Sequence, residues 1–243
     1  MASNDFTELV NSLSTGTVRR GVTSGEAKPN GGGAFVYGFN SVTTGEGSVG
    51  LFVNQNNFAP IEGPASAGGG SIRAVMKRGL SGGTTGFCPM IFIGLQGNDV
   101  TDSGYILGLS DADPAHLVLK KGSFNTGVPD AVPVPTSNTL LMRSVNSYAN
   151  NTYVHVRLDM IVNDNSDVIL KVYSNDLSVN PIGTAPVWTP VSGMSMFVDD
   201  ALAVNSGSPP FTSGYLGFGY WTNNVARRVY FDNIEAVRQL PAV

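Results

Sequence analysis

The sequence predicts an all-β protein, an antiparallel β-sandwich with a short N-terminal helix or arm. Short runs of β-branched and aromatic residues follow one another along the chain, and no long helical period competes with them. The 30 glycines and 14 prolines are spread along the chain, as many strands joined by many turns require. With 243 residues, 42% of them hydrophobic, the chain can bury one core as a single large domain.

The N-terminal segment is the place where a helical pattern stands out. Asn4 or Asp5 is a suitable N-cap for a short helix ending at residue 13. The apolar stripe of that helix would consist of Phe6, Leu9, Val10 and Leu13. So short a helix is marginal alone in water. We therefore expect residues 1–30 to form an arm that orders against the body or a neighbouring subunit, and residues 31–243 to form the sandwich domain.

The strands after this arm are predicted from apolar runs bounded by Gly, Pro, Asn, Asp and Ser. They cover residues 34–40, 48–54, 71–78, 87–95, 105–109, 116–120, 139–143, 153–162, 168–173, 194–198, 215–221 and 225–237. The proline-rich residues 129–135 form an extended connection. So many short strands favour two packed antiparallel sheets.

The clearest hairpin joins the strands at 153–162 and 168–173. Its first strand alternates, and the even positions are the core face: Val154, Val156, Leu158, Met160 and Val162. The five-residue loop at 163–167 contains only Asn, Asp and Ser, which suit Asx turns and positive φ.

The last two strands carry aromatic faces. In the first, Leu216, Phe218 and Tyr220 share one face, while glycines leave the opposite face almost bare, so that another backbone can approach. In the second, Ile234 is out of phase with Val229 and Phe231. This break predicts a β-bulge near residues 232–233.

Composition excludes several function classes. Only 13% of residues are charged, against about 25% in ordinary soluble domains, so much of the surface is uncharged or covered by partners. A net charge of −4 argues against nucleic-acid binding. We find neither a secretion signal nor an apolar run of about 20 residues, so we expect cytoplasmic synthesis and no membrane span. The one cysteine, Cys88, is predicted to be buried.

Four sequence features together resemble the concanavalin A-like, or laminin-G-like, jelly-roll superfamily over residues 34–238. They are the SIRAVMKR run at 71–78, the GYILGL run at 104–109 followed by 116–122, the hairpin at 153–173, and Gly217-Phe-Gly219 with the VYFDNI run at 229–234. The resemblance implies a jelly-roll sandwich. Domains of this superfamily serve as lectins, glycanases, adhesion modules and viral surface proteins, so it implies no single function.

No catalytic constellation is predicted from the sequence. Retaining glycanases need two carboxyl groups about 5 Å apart. Glu235 and Asp232 are three residues apart, which places them on opposite faces of a regular strand. The two histidines, His116 and His155, lie in predicted strands without a nucleophile nearby, and structural roles are favoured for both. We therefore predict that the protein is not an enzyme.

Three acidic clusters in the sequence are candidate calcium sites. Calcium binds six to eight oxygen ligands, and the candidates are Asp111 with Asp113, the loop at 163–167, and Asp199 with Asp200. Turn formation by Asn and Asp also explains the first two and is favoured. Adjacent aspartates on a strand diverge. No metal and no other cofactor is predicted.

One binding site is predicted at the tip of the last hairpin. An aromatic ring, a hydroxyl and two amides come together there and could stack on and hydrogen-bond a sugar: Trp221, Thr222, Asn223 and Asn224. A structural role or an interface with a partner is the favoured alternative for these residues.

The features together look like those of a bacteriophage virion structural protein. We expect a capsid decoration (cement) protein, or a tail or fibre subunit, made in the host cytoplasm and located in the virion. Its partners would be other virion proteins and copies of itself, as a homo-oligomer held by the arm stripe and by β-augmentation. The alternative is a lectin-like carbohydrate-binding module or adhesin that recognises host surface glycans.

Overall fold

The computed structural model describes residues 7–12, 18–22, 35–39, 48–53, 69–78, 87–97, 102–110, 112, 114–123, 139–200, 208–222 and 228–239. Within these ranges every regular element is a β-strand, which confirms the predicted all-β class. The strands are β1 Thr7–Ser12, β2 Val18–Val22, β3 Phe35–Phe39, β4 Ser48–Val53, β5 Gly69–Arg78, β6 Phe87–Leu95, β7 Ser103–Leu109, β8 Ala115–Ser123, β9 Thr139–Tyr148, β10 Val154–Val162, β11 Val168–Asn175, β12 Thr189–Pro190, β13 Phe197–Asp199, β14 Tyr215–Thr222 and β15 Arg228–Gln239.

The strands form two antiparallel sheets, which confirms the predicted sandwich. The seven-stranded sheet has the order β1-β4-β14-β6-β7-β8-β9. The eight-stranded sheet has the order β12-β11-β10-β5-β15-β3-β2, and β13 pairs with β11 beside it. No described residue forms a helix that is long and apolar enough to cross a membrane.

The core lies between the two sheets and takes alternate residues from each. Leu158 and Ile72 enter it from the eight-stranded sheet, and Leu107 and Phe218 enter it from the seven-stranded sheet. The rings of Phe218 and Phe231 meet across the core, with centroids 5.0 Å apart. The predicted core face of β10 is confirmed, because all five of its even-numbered residues are buried there.

The predicted loop between β10 and β11 also has its expected form. Val162 pairs with Val168, which leaves residues 163–167 as the turn. The Asn163 side-chain oxygen accepts hydrogen bonds from the backbone N–H groups of Asn165 (3.0 Å) and Asp167 (2.9 Å), and Ser166 has φ 66°. The amide of Asn163 also donates to the Asp167 carboxylate. These polar groups therefore close an Asx turn.

The predicted bulge in β15 is present. The pairing of β15 with β5 shifts register between Asp232 and Glu235, and Asn233 has φ 47°. The extra residue returns Ile234 to the core, against which it packs. Glu235 consequently lies on the outer face of the sheet, away from the core.

The predicted N-terminal helix is wrong. Residues 7–12 are strand β1, which pairs with β4 along its length, with Leu9 opposite Leu51. A lone helix of this length is marginal, whereas an open sheet edge offers a full ladder of hydrogen bonds. Phe6 and Leu13 lie outside the described residues. Strand β2 likewise pairs with β3; the division at residue 30 stays a prediction.

The seven-stranded sheet is apolar on both faces along β6, β7 and β8. Residues that alternate with core positions form a second buried cluster on its outer face: Cys88, Met90, Phe92, Leu95, Ile106, Val118 and Leu140. The predicted burial of Cys88 is thereby confirmed. Lys120 is buried on the same face, where desolvation lowers the pKa of its amine to about 8.

Candidate functional site

A groove of about 390 Å³ lies on the outer face of the eight-stranded sheet. Strands β5, β10, β11 and β15 supply its floor, and the segment at 181–186 supplies one wall. Its polar side chains are Arg73, His155, Asn175, Thr184, Asn233 and Glu235. The groove therefore combines a rigid sheet with a short irregular segment, the usual arrangement of a binding site.

Strand alternation positions the floor residues. Ile72 and Ala74 face the core, so Arg73 between them faces outward, and His155 is outward for the same reason in β10. Arg73 is directly opposite Glu235 in the pairing of β5 with β15. His155 is directly opposite Asn175 in the pairing of β10 with β11. Two cross-strand pairs thus form the floor.

Arg73 and Glu235 form an ion pair in the groove. The guanidinium donates a hydrogen bond to the Glu235 carboxylate, and the two side chains are 31% and 37% exposed. They are the charged residues among the described lining side chains, and their formal charges cancel. The groove therefore offers strong donors and acceptors without a net charge.

His155 is held as a neutral ring beneath the wall of the groove. Burial, and to a lesser extent the charge of Arg73, lowers the pKa of His155 to about 4. Its Nδ1 accepts a hydrogen bond from the Asn175 amide nitrogen at 3.2 Å, so the ring proton is on Nε2. The Trp188 ring packs edge-on against it, with centroids 4.7 Å apart.

The Asn175 side chain anchors the wall segment at 181–186 through hydrogen bonds. Its amide nitrogen donates to the backbone carbonyl of Asn180 at 2.9 Å, and its amide oxygen accepts from the backbone N–H of Val187 at 3.0 Å. One side chain thus joins both ends of the wall to strand β11. This network also fixes which amide atom is nitrogen and which is oxygen.

The residues predicted for the hairpin tip lie away from this groove. Trp221 is in β14 of the other sheet, opposite Cys88, and packs half-buried against the outer apolar cluster. Thr222 ends the same strand. Asn223 and Asn224 lie outside the described residues. A glycan or partner contact at this tip stays a prediction, as does the inter-subunit role of Leu9 and Val10, which lie in β1.

Two of the acidic candidates that the structure describes are engaged by other side chains. Asp111 and Asp113 lie outside the described residues, Asp167 closes the loop at 163–167, and Asp199 is paired with Lys121. Within the part of the chain that the structure describes, no three His, Cys, Asp or Glu side chains are grouped to hold a metal ion. His116 instead hydrogen-bonds the Ser144 carbonyl through Nδ1 at 3.0 Å.

Sequence reasoning assigned none of the groove residues to a binding site, because His155 and Glu235 were considered only as catalytic candidates. Arg73 and Glu235 are 162 positions apart in the chain, and neither belongs to a catalytic or ligand-binding motif. The one available signal was the predicted bulge, which moves Glu235 onto the outward face of β15.

No family model matches the chain, and no curated protein matches it. Among solved structures it is similar to the carbohydrate-binding module CBM66 from Bacillus subtilis, with 12% identity, 92% of this chain and 96% of that chain covered, and a TM-score of 0.45. It is also similar to winged bean acidic lectin complexed with methyl-α-D-galactose, with 8% identity, 98% of this chain and 100% of that chain covered, and a TM-score of 0.46. A third similar structure is that of an endo-β-1,4-glucuronan lyase from Trichoderma reesei, with 12% identity, 94% of this chain and 89% of that chain covered, and a TM-score of 0.46. Likenesses at this level establish neither a family nor a ligand for the chain.

Proposed function

We propose that the protein is a non-enzymatic carbohydrate-binding module whose ligand occupies the groove on the outer face of the eight-stranded sheet. One observation carries the proposal: the Arg73–Glu235 pair, the neutral ring of His155 and the Thr184 hydroxyl line a single groove. Sugar hydroxyls both donate and accept hydrogen bonds, and this set supplies both donors and acceptors.

Size and rigidity support the same interpretation. A volume of about 390 Å³ falls in the range of small-ligand pockets, roughly 300–1,000 Å³. Three of the contact residues are on strands whose pairing holds them in place, so little ordering entropy is lost on binding.

The carboxylate count favours binding over hydrolysis. Glu235 is the one carboxylate among the described lining residues. Hydrolysis of a glycosidic bond requires two carboxyl groups on opposite sides of that bond. The Glu235 carboxylate is moreover engaged by Arg73, which favours a role as a hydrogen-bond acceptor.

A glycan array followed by calorimetry tests the proposal. We expect the wild-type protein to bind at least one glycan and Arg73→Gln to weaken that binding at least tenfold. The matched control is Arg157→Gln, because Arg157 is directly opposite Arg73 on β10 and pairs with Asp159 outside the groove. Absence of binding to any glycan would overturn the proposal. If Trp221→Ala abolished glycan binding and Arg73→Gln did not, the glycan would bind at the hairpin tip and not in the groove.

A structural role in a virion is the second candidate, favoured by exposed apolar side chains beside a low overall charge. Val145, Val179 and Met196 are 67%, 71% and 59% exposed, and contact with a neighbouring subunit would cover them. Mass spectrometry of purified particles and light scattering of the isolated protein test this role. A strictly monomeric protein that is absent from particles would eliminate it.

A further inference from the structure

A buried ion pair that involves none of the groove residues connects the two sheets. Lys121 is on β8 of the seven-stranded sheet, and Asp199 is on β13 beside the eight-stranded sheet. The lysine Nζ is 2.7 Å from Asp199 Oδ2, and the two side chains are 2% and 0% exposed. An ion pair so completely removed from water carries a large desolvation cost.

The surroundings distinguish the two oxygens of the Asp199 carboxylate. Oδ2 accepts hydrogen bonds from Lys121 and from the Tyr105 hydroxyl, the latter at 2.5 Å. Oδ1 is buried and has no hydrogen-bond partner among the described residues. Burial and the neighbouring carboxylate raise the pKa of Tyr105 far above its ordinary value, so the phenol keeps its proton.

The amine is held from the other side as well. Lys121 Nζ donates to the backbone carbonyls of Ser208 (2.6 Å) and Pro209 (2.7 Å), and the Phe211 ring centroid is 4.8 Å away. The Tyr105 hydroxyl in turn accepts from the Phe211 backbone N–H at 2.9 Å. Nucleophile, carboxyl group and proton donor are thus packed together in a site shielded from water.

We propose that Lys121 and Asp199 condense to an intramolecular amide, a covalent cross-link between the two sheets. The ammonium first transfers a proton to Oδ2, which removes both buried charges. The neutral amine then attacks Cγ, the Nζ–Cγ bond forms, and the Cγ–Oδ2 bond breaks. Oδ2 leaves as water with that proton and a second proton from Nζ, and Oδ1 becomes the amide oxygen.

The geometry supplies what this condensation requires. Holding amine and carboxyl group in contact replaces a bimolecular encounter by a unimolecular step. Exclusion of water removes the nucleophile that would reverse the reaction. The Tyr105 hydroxyl bonds the oxygen that leaves, and one backbone carbonyl remains to accept the single N–H of the product. No oxidant or cofactor is needed.

Intact mass spectrometry of the denatured wild-type protein tests the cross-link. We expect a mass lower than the sequence mass by one water molecule, and a branched proteolytic peptide that joins the segments containing residues 121 and 199. A wild-type mass equal to the sequence mass, after prolonged incubation of the folded protein, would overturn the proposal. This measurement does not depend on the folding of any variant or on glycan binding.

Variants of the three residues test the role of each in forming the cross-link. Lys121→Met and Asp199→Ala should each restore the full sequence mass, and Tyr105→Phe should slow the appearance of the cross-linked form at least tenfold. Lys120→Met is the matched control, because Lys120 is adjacent on β8 but faces the outer apolar cluster. Persistence of the mass deficit in Lys121→Met would show that the deficit arises elsewhere and would overturn the assignment.

Discussion

Arg73 on β5 and Glu235 on β15 are directly opposite one another, and their side chains pair on the outer face of the eight-stranded sheet. The relationship depends on the bulge at Asn233, because without the extra residue Glu235 would face the core. A local irregularity of one strand therefore creates the charged part of the groove.

Glu235→Gln should change the ligand charge that the groove accepts. The substitution removes the negative charge that neutralises Arg73, so the guanidinium becomes available to a carboxylate. We expect measurable binding of uronic-acid sugars to the variant and none to the wild type, by calorimetry at low salt. Asp159→Asn, which instead frees Arg157 outside the groove, is the control. Equal uronate binding by Glu235→Gln and Asp159→Asn would contradict the prediction.

Asn233→Val should destabilise the protein by about 1–2 kcal/mol. Asn233 has φ 47°, a left-handed conformation that a β-branched residue adopts only with strain. Asn233→Gly keeps this conformation accessible and serves as the control. Urea denaturation measures both variants, and an Asn233→Val protein as stable as Asn233→Gly would show that the bulge does not depend on this backbone conformation.

Lys120→Met should stabilise the protein by about 2 kcal/mol at pH 7. The folded-state pKa of Lys120 is lowered from 10.5 to about 8 by burial, so wild-type stability falls as the pH decreases from 10.5 to 8. Methionine fits the apolar cluster without this cost. Thermal unfolding at pH 7 and pH 10 should show a gain that is larger at pH 7. Lys171→Met, a half-buried site on β11, should change stability by less than about 0.5 kcal/mol.

His155 should make the protein less stable in acid. Its pKa is lowered from 6.5 in the unfolded chain to about 4 in the folded protein, so the unfolded chain binds the proton first. Stability is therefore complete above pH 6.5 and is lost as the pH falls from 6.5 to 4. The expected loss is on the order of 2 kcal/mol. In His155→Gln, chemical denaturation across this range should show a shallower pH dependence of stability than in the wild type, and an unchanged dependence would contradict the prediction.

Local patterns predicted a large part of the fold. The alternation in β10, the Asx loop at 163–167 and the bulge in β15 each depend on residues a few positions apart, so the sequence displays them directly. The helix predicted at the N-terminus failed because a helical stripe and an edge strand such as β1 are compatible with the same six residues. The choice between them depends on β4, which is far away in the chain.

The groove and the buried pair depend on contacts that a sequence does not display. Arg73 and Glu235 are 162 positions apart, and Lys121 and Asp199 are 78 positions apart. Each residue alone resembles an ordinary charged residue in a strand or turn. Their chemistry arises from the strand order, because it is the pairing of β5 with β15 and the packing of β8 near β13 that bring them together.

The attachment of the wall through Asn175 has a consequence for engineering. Both ends of the segment at 181–186 are tied to the framework by one amide on a strand, and Pro181, Thr184 and Ala185 between them are exposed. Substitutions at positions 181 and 184–186, with the buried Ile182 and the positive-φ Gly183 retained, would change the proposed recognition while leaving the anchors in place. A library randomised over these four positions would therefore be a starting point for binders of new specificity.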